Sequence, residues 1–213
     1  MSDRGTLQRQ LQEGAASLGV SLSDAQQGLL LDYLQEFAKW NKAYNLSAVR
    51  DIQQMLGRHL LDSLAVVPHI HGQNLIDVGT GGGLPGIVLA ICYPEKKFTL
   101  LDSNGKKTRF LFHVKTLLGL ENVTVENCRV ESLKPESLFD TVISRAFASL
   151  ADMTHWCRHL LSDNGQFLAM KGQFPQVELD EIREAYELLS SIELQVPGEE
   201  GERHLLIIRR KQS

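Results

Sequence analysis

The chain has 213 residues, of which 43% are hydrophobic, and its formal net charge is −4. This length fits one domain with an added part, and the small negative charge excludes a global electrostatic attraction for polyanions. Cys92, Cys128 and Cys157 are too few and too scattered for a disulfide framework or a zinc site, so we expect buried free thiols and no metal.

The sequence carries no signal for a membrane or for secretion. It has no run of about 18 apolar residues, which a membrane-spanning helix would need. The segment MSDRGTLQRQLQEG lacks the basic and then apolar layout of a signal peptide. We therefore expect a cytoplasmic protein with no membrane partner.

The first third of the chain is predicted to be helical. Ser23 with Gln26 three residues later is a capping-box pattern. The residues that follow on one helical face are Leu30, Tyr33, Leu34, Phe37 and Asn41. Asp51 with Gln54 marks a second helix start. Because such helices bury an apolar stripe only against another element, we expect residues 1–72 to form a helical extension packed on the rest.

From about residue 74, short apolar runs alternate with amphipathic segments. The runs predicted as strands are NLIDV, KFTLLD, VTVEN, DTVISRA, GQFLAMK, IELQV and HLLIIRR. Helices are predicted at 85–92, 105–118, 150–161 and 175–190. This alternation predicts an α/β fold over residues 73–213, with a mostly parallel sheet and helices on both faces. The last two strands leave no room for a helix between them, so they should form an antiparallel hairpin.

A glycine-rich segment, DVGTGGGLPG, follows the first predicted strand. A strand, such a turn and a helix form a nucleotide-binding crevice, because glycines permit positive φ angles and close backbone approach. Gly81, Gly83 and Gly86 fit G-x-G-x-x-G, which indicates a dinucleotide. Read from Asp77 through Gly79, the same residues fit D-x-G-x-G-x-G, the pattern of S-adenosylmethionine enzymes.

Two carboxylates favour one of these cofactors. Asp77, at the end of the first strand, would repel a pyrophosphate, yet it suits a ligand that carries an ammonium and a sulfonium. Asp102, at the end of the second strand, is placed to accept hydrogen bonds from ribose hydroxyls, a role common to both cofactors. We therefore favour S-adenosylmethionine over NAD, and a tight turn without a ligand is the remaining alternative.

The acceptor of the methyl group is predicted by elimination. SRAF, at 144–147, stands where adenine amine methyltransferases have Asn or Asp with Pro-Pro and an aromatic residue. No cysteine is placed for pyrimidine C5 chemistry. Guanine N7 offers a lone pair and has no proton to lose, so its methylation needs neither the Asn/Asp-Pro-Pro motif nor a nucleophilic cysteine. A small-molecule acceptor and a cofactor sensor without catalysis stay open as alternatives.

Basic residues fall at the predicted carboxyl ends of the strands, where open α/β sheets bind their ligands. They are Lys106, Lys107, Arg109, Arg145 and Lys171. We expect Arg145, directly after an apolar strand, to be functional, and the four others to be candidate contacts to RNA. A solvated helix start is the alternative for the cluster at 106–109.

The motifs KWNKAYNLSAVRD, RHLLDSL, DVGTGGGLPGI, LLDSNGKKTRFL, RVE and FDTVISRAFASL occur in the order found in the RsmG family, also called glucose-inhibited division protein B. From about residue 20 to its last residues, including GERHLLIIRR, the chain resembles this family. The resemblance implies a class I, Rossmann-like methyltransferase with an N-terminal helical extension. It also implies methyl transfer from S-adenosylmethionine to N7 of a guanine in 16S ribosomal RNA. We expect a monomer, and both naked RNA and the assembled small subunit stay open as the substrate.

The resemblance implies roles for individual residues as well. Cofactor contacts are expected from Asp77, Gly79, Gly81, Gly83, Leu84, Asp102, Val130, Glu131 and Arg145. Gly79 and Leu84 would line the methionine and ribose region, and Val130 with Glu131 would flank the adenine. Arg145 would lie beside the cofactor and the target base, as the catalytic residue. Family members often have a proline where this chain has Gly82.

Overall fold

The computed structural model describes residues 4–212, and its centre is a seven-stranded sheet. The strands are β1 (Asn74–Val78), β2 (Lys97–Leu101), β3 (Val123–Glu126), β4 (Phe139–Ser144), β5 (Leu161–Lys171), β6 (Tyr186–Glu193) and β7 (His204–Arg210). Their order in the sheet is β3-β2-β1-β4-β5-β7-β6. The first five are parallel, and β7 is antiparallel to both β5 and β6. The predicted sheet with its antiparallel C-terminal hairpin is confirmed.

The helices are α1 (Arg4–Ser17), α2 (Asp24–Tyr44), α3 (Ile52–Met55), α4 (Asp62–Leu64), α5 (Gly86–Cys92), α6 (Gly105–Leu118), α7 (Leu150–Cys157) and α8 (Gln176–Ile182). A π-helical segment, Leu56–Leu61, joins α3 to α4. The predicted capping box is present, because Ser23 accepts from the Gln26 N–H and the Gln26 side chain accepts from the Ser23 N–H. Within residues 4–212, no helix is both long and apolar enough to span a bilayer.

Two hydrophobic cores lie on opposite faces of the sheet, since successive strand residues point to opposite sides. Leu75 and Leu100 belong to the core shared with α1, α2, α5 and α6. Ile76 and Leu101 belong to the core shared with α7 and α8. Helices therefore cover both faces, as predicted, and the N-terminal helices share one core with the sheet. The domain boundary at residue 72 stays a prediction.

The C-terminal third differs from the sequence prediction. The helix predicted over 175–190 was wrong beyond Ile182, where α8 ends, because Tyr186 begins β6. The strand predicted at 192–196 accordingly starts earlier and ends at Glu193. β6 is held in strand form by its antiparallel register with β7, a contact that local sequence does not encode.

Candidate active site

The glycine loop lies at the carboxyl end of β1, between β2 and β4. The N–H groups of Gly79 and Thr80 both donate to the Leu101 carbonyl, at 2.8 and 3.1 Å. Gly79 has a φ of +72°, and a Cβ there would lie 2.7 Å from the Cβ of Ala146. Position 79 therefore requires glycine, both for its backbone angle and for the close approach of the segment after β4.

Asp77 is buried beneath this loop and holds it in place. Its Oδ2 accepts from the Thr80 hydroxyl at 2.7 Å and from the Gly86 N–H at 2.9 Å. Its Oδ1 is buried without a hydrogen-bond partner among residues 4–212. Burial raises the pKa of Asp77 to about 6, although the two hydrogen bonds and the Arg145 guanidinium lower it. Asp77 thus fixes the loop and keeps one acceptor oxygen free.

Asp102 follows β2 and connects the loop to the start of α6. Its Oδ2 accepts from the Gly81 N–H at 2.9 Å, and its Oδ1 accepts from the Asn104 N–H at 2.8 Å. The Lys107 ammonium lies 3.9 Å from Oδ2. A carboxylate has about four lone-pair sites, so two remain for further donors.

A first cavity, of about 310 Å³, opens beside Asp102. Of the predicted cofactor residues it brings together Gly79, Asp102, Val130 and Glu131. Phe147 and Lys107 also line it, and Cys128, expected to be buried, is half-buried at its wall. The volume lies at the lower end of ligand sites, which span roughly 300–1,000 Å³. Apolar walls with a carboxylate at the rim fit an adenosyl group.

Five predicted cofactor residues do not line this first cavity: Asp77, Gly81, Gly83, Leu84 and Arg145. Leu84 is buried in the core beneath the loop. Arg145 lines a second cavity, of about 220 Å³, together with Asp62, Lys171, Arg203 and His204. The two cavities share no lining residue, but consecutive residues after β4 line them: Arg145 lines the second, and Ala146 with Phe147 lines the first.

An ion-pair cluster forms one wall of the second cavity. Asp62 Oδ2 lies 3.3 Å from Arg145 Nη1, and Asp62 Oδ1 lies 2.8 Å from Arg203 Nε. Sequence reasoning missed Asp62 and Arg203, because they come from the N-terminal extension and the C-terminal hairpin. The signals available were the segments RHLLDSL and GERHLLIIRR, which contain them.

The predicted RNA contacts have different surroundings. Lys106 and Arg109 are exposed on α6, and Lys107 is half-buried beside the first cavity. The Lys171 ammonium lies 2.8 Å from Glu178 Oε2 and donates to the Ala148 carbonyl at 3.1 Å. Since its side chain is only 13% exposed, Lys171 mainly fixes the segment after β4.

The N-terminal extension packs directly on the glycine loop. The Tyr33 hydroxyl of α2 donates to the Gly82 carbonyl at 2.7 Å. Burial raises the pKa of Tyr33 well above its ordinary value, so the hydroxyl stays a donor. The Phe37 ring lies where a Cβ on Gly82 would stand. Sequence reasoning placed Tyr33 and Phe37 on one helix face without a link to the loop.

Comparison with known proteins agrees with this geometry. The solved structures that resemble it include a ribosomal protein L11 methylase of Lactobacillus delbrueckii subsp. bulgaricus, with a TM-score of 0.56 and 16% identity over 73% of this chain and 79% of that one. A methyltransferase of Thiobacillus denitrificans, solved with S-adenosyl-L-homocysteine, has a TM-score of 0.52 and 11% identity over 82% of this chain and 98% of that one. At such identities, these likenesses show the fold alone: that of class I S-adenosylmethionine-dependent methyltransferases.

Sequence relatives are much closer. The chain is 62% identical to the ribosomal RNA small subunit methyltransferase G of Cellvibrio japonicus, over 98% of both chains. It is 58% identical to the protein of the same name in Saccharophagus degradans, over 95% of this chain and 91% of that one. The family described as GidB, rRNA small subunit methyltransferase G, matches residues 26–206. The chain therefore belongs to the rRNA small subunit methyltransferase G family, and its cofactor is S-adenosylmethionine.

Proposed function

We propose that this protein transfers a methyl group from S-adenosylmethionine to N7 of a specific guanine in 16S ribosomal RNA. The observation that carries the proposal is the pair of cavities at the carboxyl ends of the strands, which are lined by consecutive residues after β4. One fits a nucleoside, and the other is lined by cationic side chains and a carboxylate. The names of the relatives, which specify RNA of the small ribosomal subunit, support the same substrate.

Residues around the first cavity hold and orient the cofactor. Asp102 uses its remaining lone pairs for the ribose hydroxyls, and Val130 with Glu131 flanks the adenine. Gly79 lets the ligand approach the backbone. The free oxygen of Asp77 places negative charge behind the loop, which suits a ligand with two positive groups.

The acceptor chemistry requires little from the protein beyond alignment. When bound, S-adenosylmethionine supplies a methyl group on a positively charged sulfur, which a lone pair attacks in line. Because guanine N7 has no proton to lose, no general base is needed. The Arg145 guanidinium has several N–H donors and no acceptor, so it can orient the base through the O6 acceptor beside N7.

The RNA partner must present this base in an accessible form. The major groove of A-form RNA is too deep and narrow for side chains, so the target guanine lies in a loop or in a distorted helix. Exposed Lys106 and Arg109 supply phosphate contacts beside the first cavity. The enzyme acts as a monomer in the cytoplasm, on naked RNA or on the assembled small subunit.

The test is methyl transfer from labelled S-adenosylmethionine to total bacterial RNA, followed by chemical strand scission at 7-methylguanine. We expect label in small-subunit RNA and scission at one position. Label without scission would contradict the N7 assignment. Absence of label from RNA, with label in small molecules of an RNA-free extract, would favour a small-molecule methyltransferase instead.

A further inference from the structure

The second cavity lies where an acceptor has to lie. Arg145 follows the last residue of β4, and Met170 with Lys171 ends β5, so its floor is formed by the carboxyl ends of two neighbouring strands. Its remaining walls come from the N-terminal extension and the C-terminal hairpin. Arg145 lines this cavity, and the next two residues, Ala146 and Phe147, line the first cavity, so both cavities lie along the segment after β4.

The size of the second cavity matches a single base. Its volume is about 220 Å³. Sites for drug-sized ligands usually span about 300–1,000 Å³, so this one suits a smaller, flat fragment. Enzymes that act on a base commonly extrude it into such a pocket and read its Watson–Crick edge by hydrogen bonds.

The charges of this cavity argue against a phosphate as its occupant. Arg145, Arg203 and Lys171 alone would suit an anion. However, the Asp62 carboxylate contacts both arginines, and Glu178 pairs with Lys171. A carboxylate that accepts from two guanidinium groups still has lone pairs free, since it offers about four acceptor sites. The His204 Nε2 atom is also buried at this wall. It has no hydrogen-bond partner among residues 4–212, since the nearby Glu202 Oε2 lies 3.6 Å away. The cavity therefore combines acceptors and donors, as a base edge requires.

We propose that the second cavity is the acceptor-base pocket and that Asp62 selects guanine by accepting hydrogen bonds from its N1–H and its 2-amino group. This inference rests on the proposed function and adds the residue that reads the base. Adenine presents an unprotonated N1 and no 2-amino group, so an acceptor-only carboxylate disfavours it. Arg145 donates to guanine O6, which leaves N7 free beside the first cavity.

A substitution that fills the second cavity tests whether the acceptor base binds there. A Cβ on Gly172, at the cavity wall, meets no atom of residues 4–212 within 4 Å, so Gly172→Phe adds a ring without forcing the backbone. We expect transfer to guanine N7 to fall by roughly 100-fold while cofactor affinity, measured by calorimetry, is unchanged. The matched control is Gly28→Phe, because Gly28 also has open space at its Cβ and lines neither cavity. Wild-type transfer by Gly172→Phe would overturn the pocket assignment.

Base selection is tested with the wild-type protein and Asp62→Asn. After the methylated guanosine is mapped, ligated RNA with inosine at that position removes only the 2-amino group. Loss of one hydrogen bond to a charged acceptor predicts transfer roughly 10- to 100-fold slower for wild type. Asp62→Asn should lose most of this discrimination.

The outcomes separate this inference from the proposed function. If the wild-type protein does not label guanine N7, the proposed function and this inference are both wrong. If it labels N7 but methylates inosine equally well, only the role of Asp62 falls, and that comparison needs no variant. Discrimination that persists unchanged in a folded Asp62→Asn protein would also overturn it.

Discussion

The two cavities are lined by consecutive residues after β4, yet they are built in different ways. The first is made by short segments in the loops that follow strands: the glycine loop, Asp102, and Val130 with Glu131. The second needs Asp62 from before the sheet, Arg145 from its middle and Arg203 from its last hairpin. Cofactor binding is therefore encoded locally, whereas the acceptor side depends on long-range packing. Changes on the two sides should consequently affect different measurements.

The largest effect is expected from Arg145→Ala. Removing the guanidinium that orients the acceptor should lower the transfer rate by roughly 100- to 1,000-fold, as for other preorganised donors. Cofactor affinity should change little, because Arg145 lies outside the first cavity. Rate, affinity and melting temperature are measured together, with Arg9→Ala, an exposed arginine of α1, as the control. A loss of stability as large as the loss of rate would assign Arg145 a structural role instead.

Asp102→Ala should have the opposite profile. Loss of charged hydrogen bonds to the ribose predicts cofactor affinity weaker by about 1.5–3 kcal/mol. Calorimetry measures this affinity directly, and Asp163→Ala, an exposed aspartate, is the matched control. Unchanged affinity would remove the ribose role. Asp102→Asn should lose less cofactor affinity than Asp102→Ala, since the asparagine side chain keeps one acceptor oxygen.

Gly82→Ala tests how the N-terminal extension supports the loop. The added Cβ overlaps the Phe37 ring, so we expect a lower free energy of unfolding by about 1–3 kcal/mol. Phe37→Leu in the same protein should remove part of this penalty, which denaturant unfolding of the two single variants and the double variant measures. Strictly additive effects would indicate that Phe37 does not restrict position 82.

The smallest expected effect is the change of cofactor affinity with pH. The pKa of Asp77 is raised to about 6 by burial, and only its ionised form favours a cationic ligand. Cofactor affinity should therefore fall as pH is lowered through 6, by at most about tenfold per pH unit for one linked proton. Asp77→Asn should bind more weakly at pH 7 and show a flatter profile. An identical pH slope in both proteins would exclude Asp77 as the titrating group.

Prediction from sequence succeeded where one continuous segment contains all the residues that determine the element. The helix predicted over 105–118 has those bounds, and the capping box at Ser23 forms as expected. Prediction from sequence failed where contacts with residues distant in the chain determine where an element begins or ends. The helix predicted over 150–161 ends at Cys157, because β5 begins at Leu161 and pairs with its neighbours. The second cavity escaped prediction for the same reason.

The Asp62 cluster illustrates this limit. Nothing in RHLLDSL indicates that its aspartate contacts an arginine 83 positions later. Likewise, the helical face that contains Tyr33 predicted burial, but its hydrogen bond to the Gly82 carbonyl depends on how α2 packs on the loop. Local sequence patterns identify which residues are buried and which carry reactive or hydrogen-bonding groups. Tertiary packing determines which of these residues contact each other.

The most direct test of the central claim is a crystal structure of the protein with S-adenosylhomocysteine. We expect the adenosine in the first cavity, with the ribose hydroxyls on Asp102 and the sulfur directed toward Arg145 and the second cavity. A nucleoside bound elsewhere, or a sulfur directed away from Arg145, would contradict the division of the site into a cofactor side and an acceptor side.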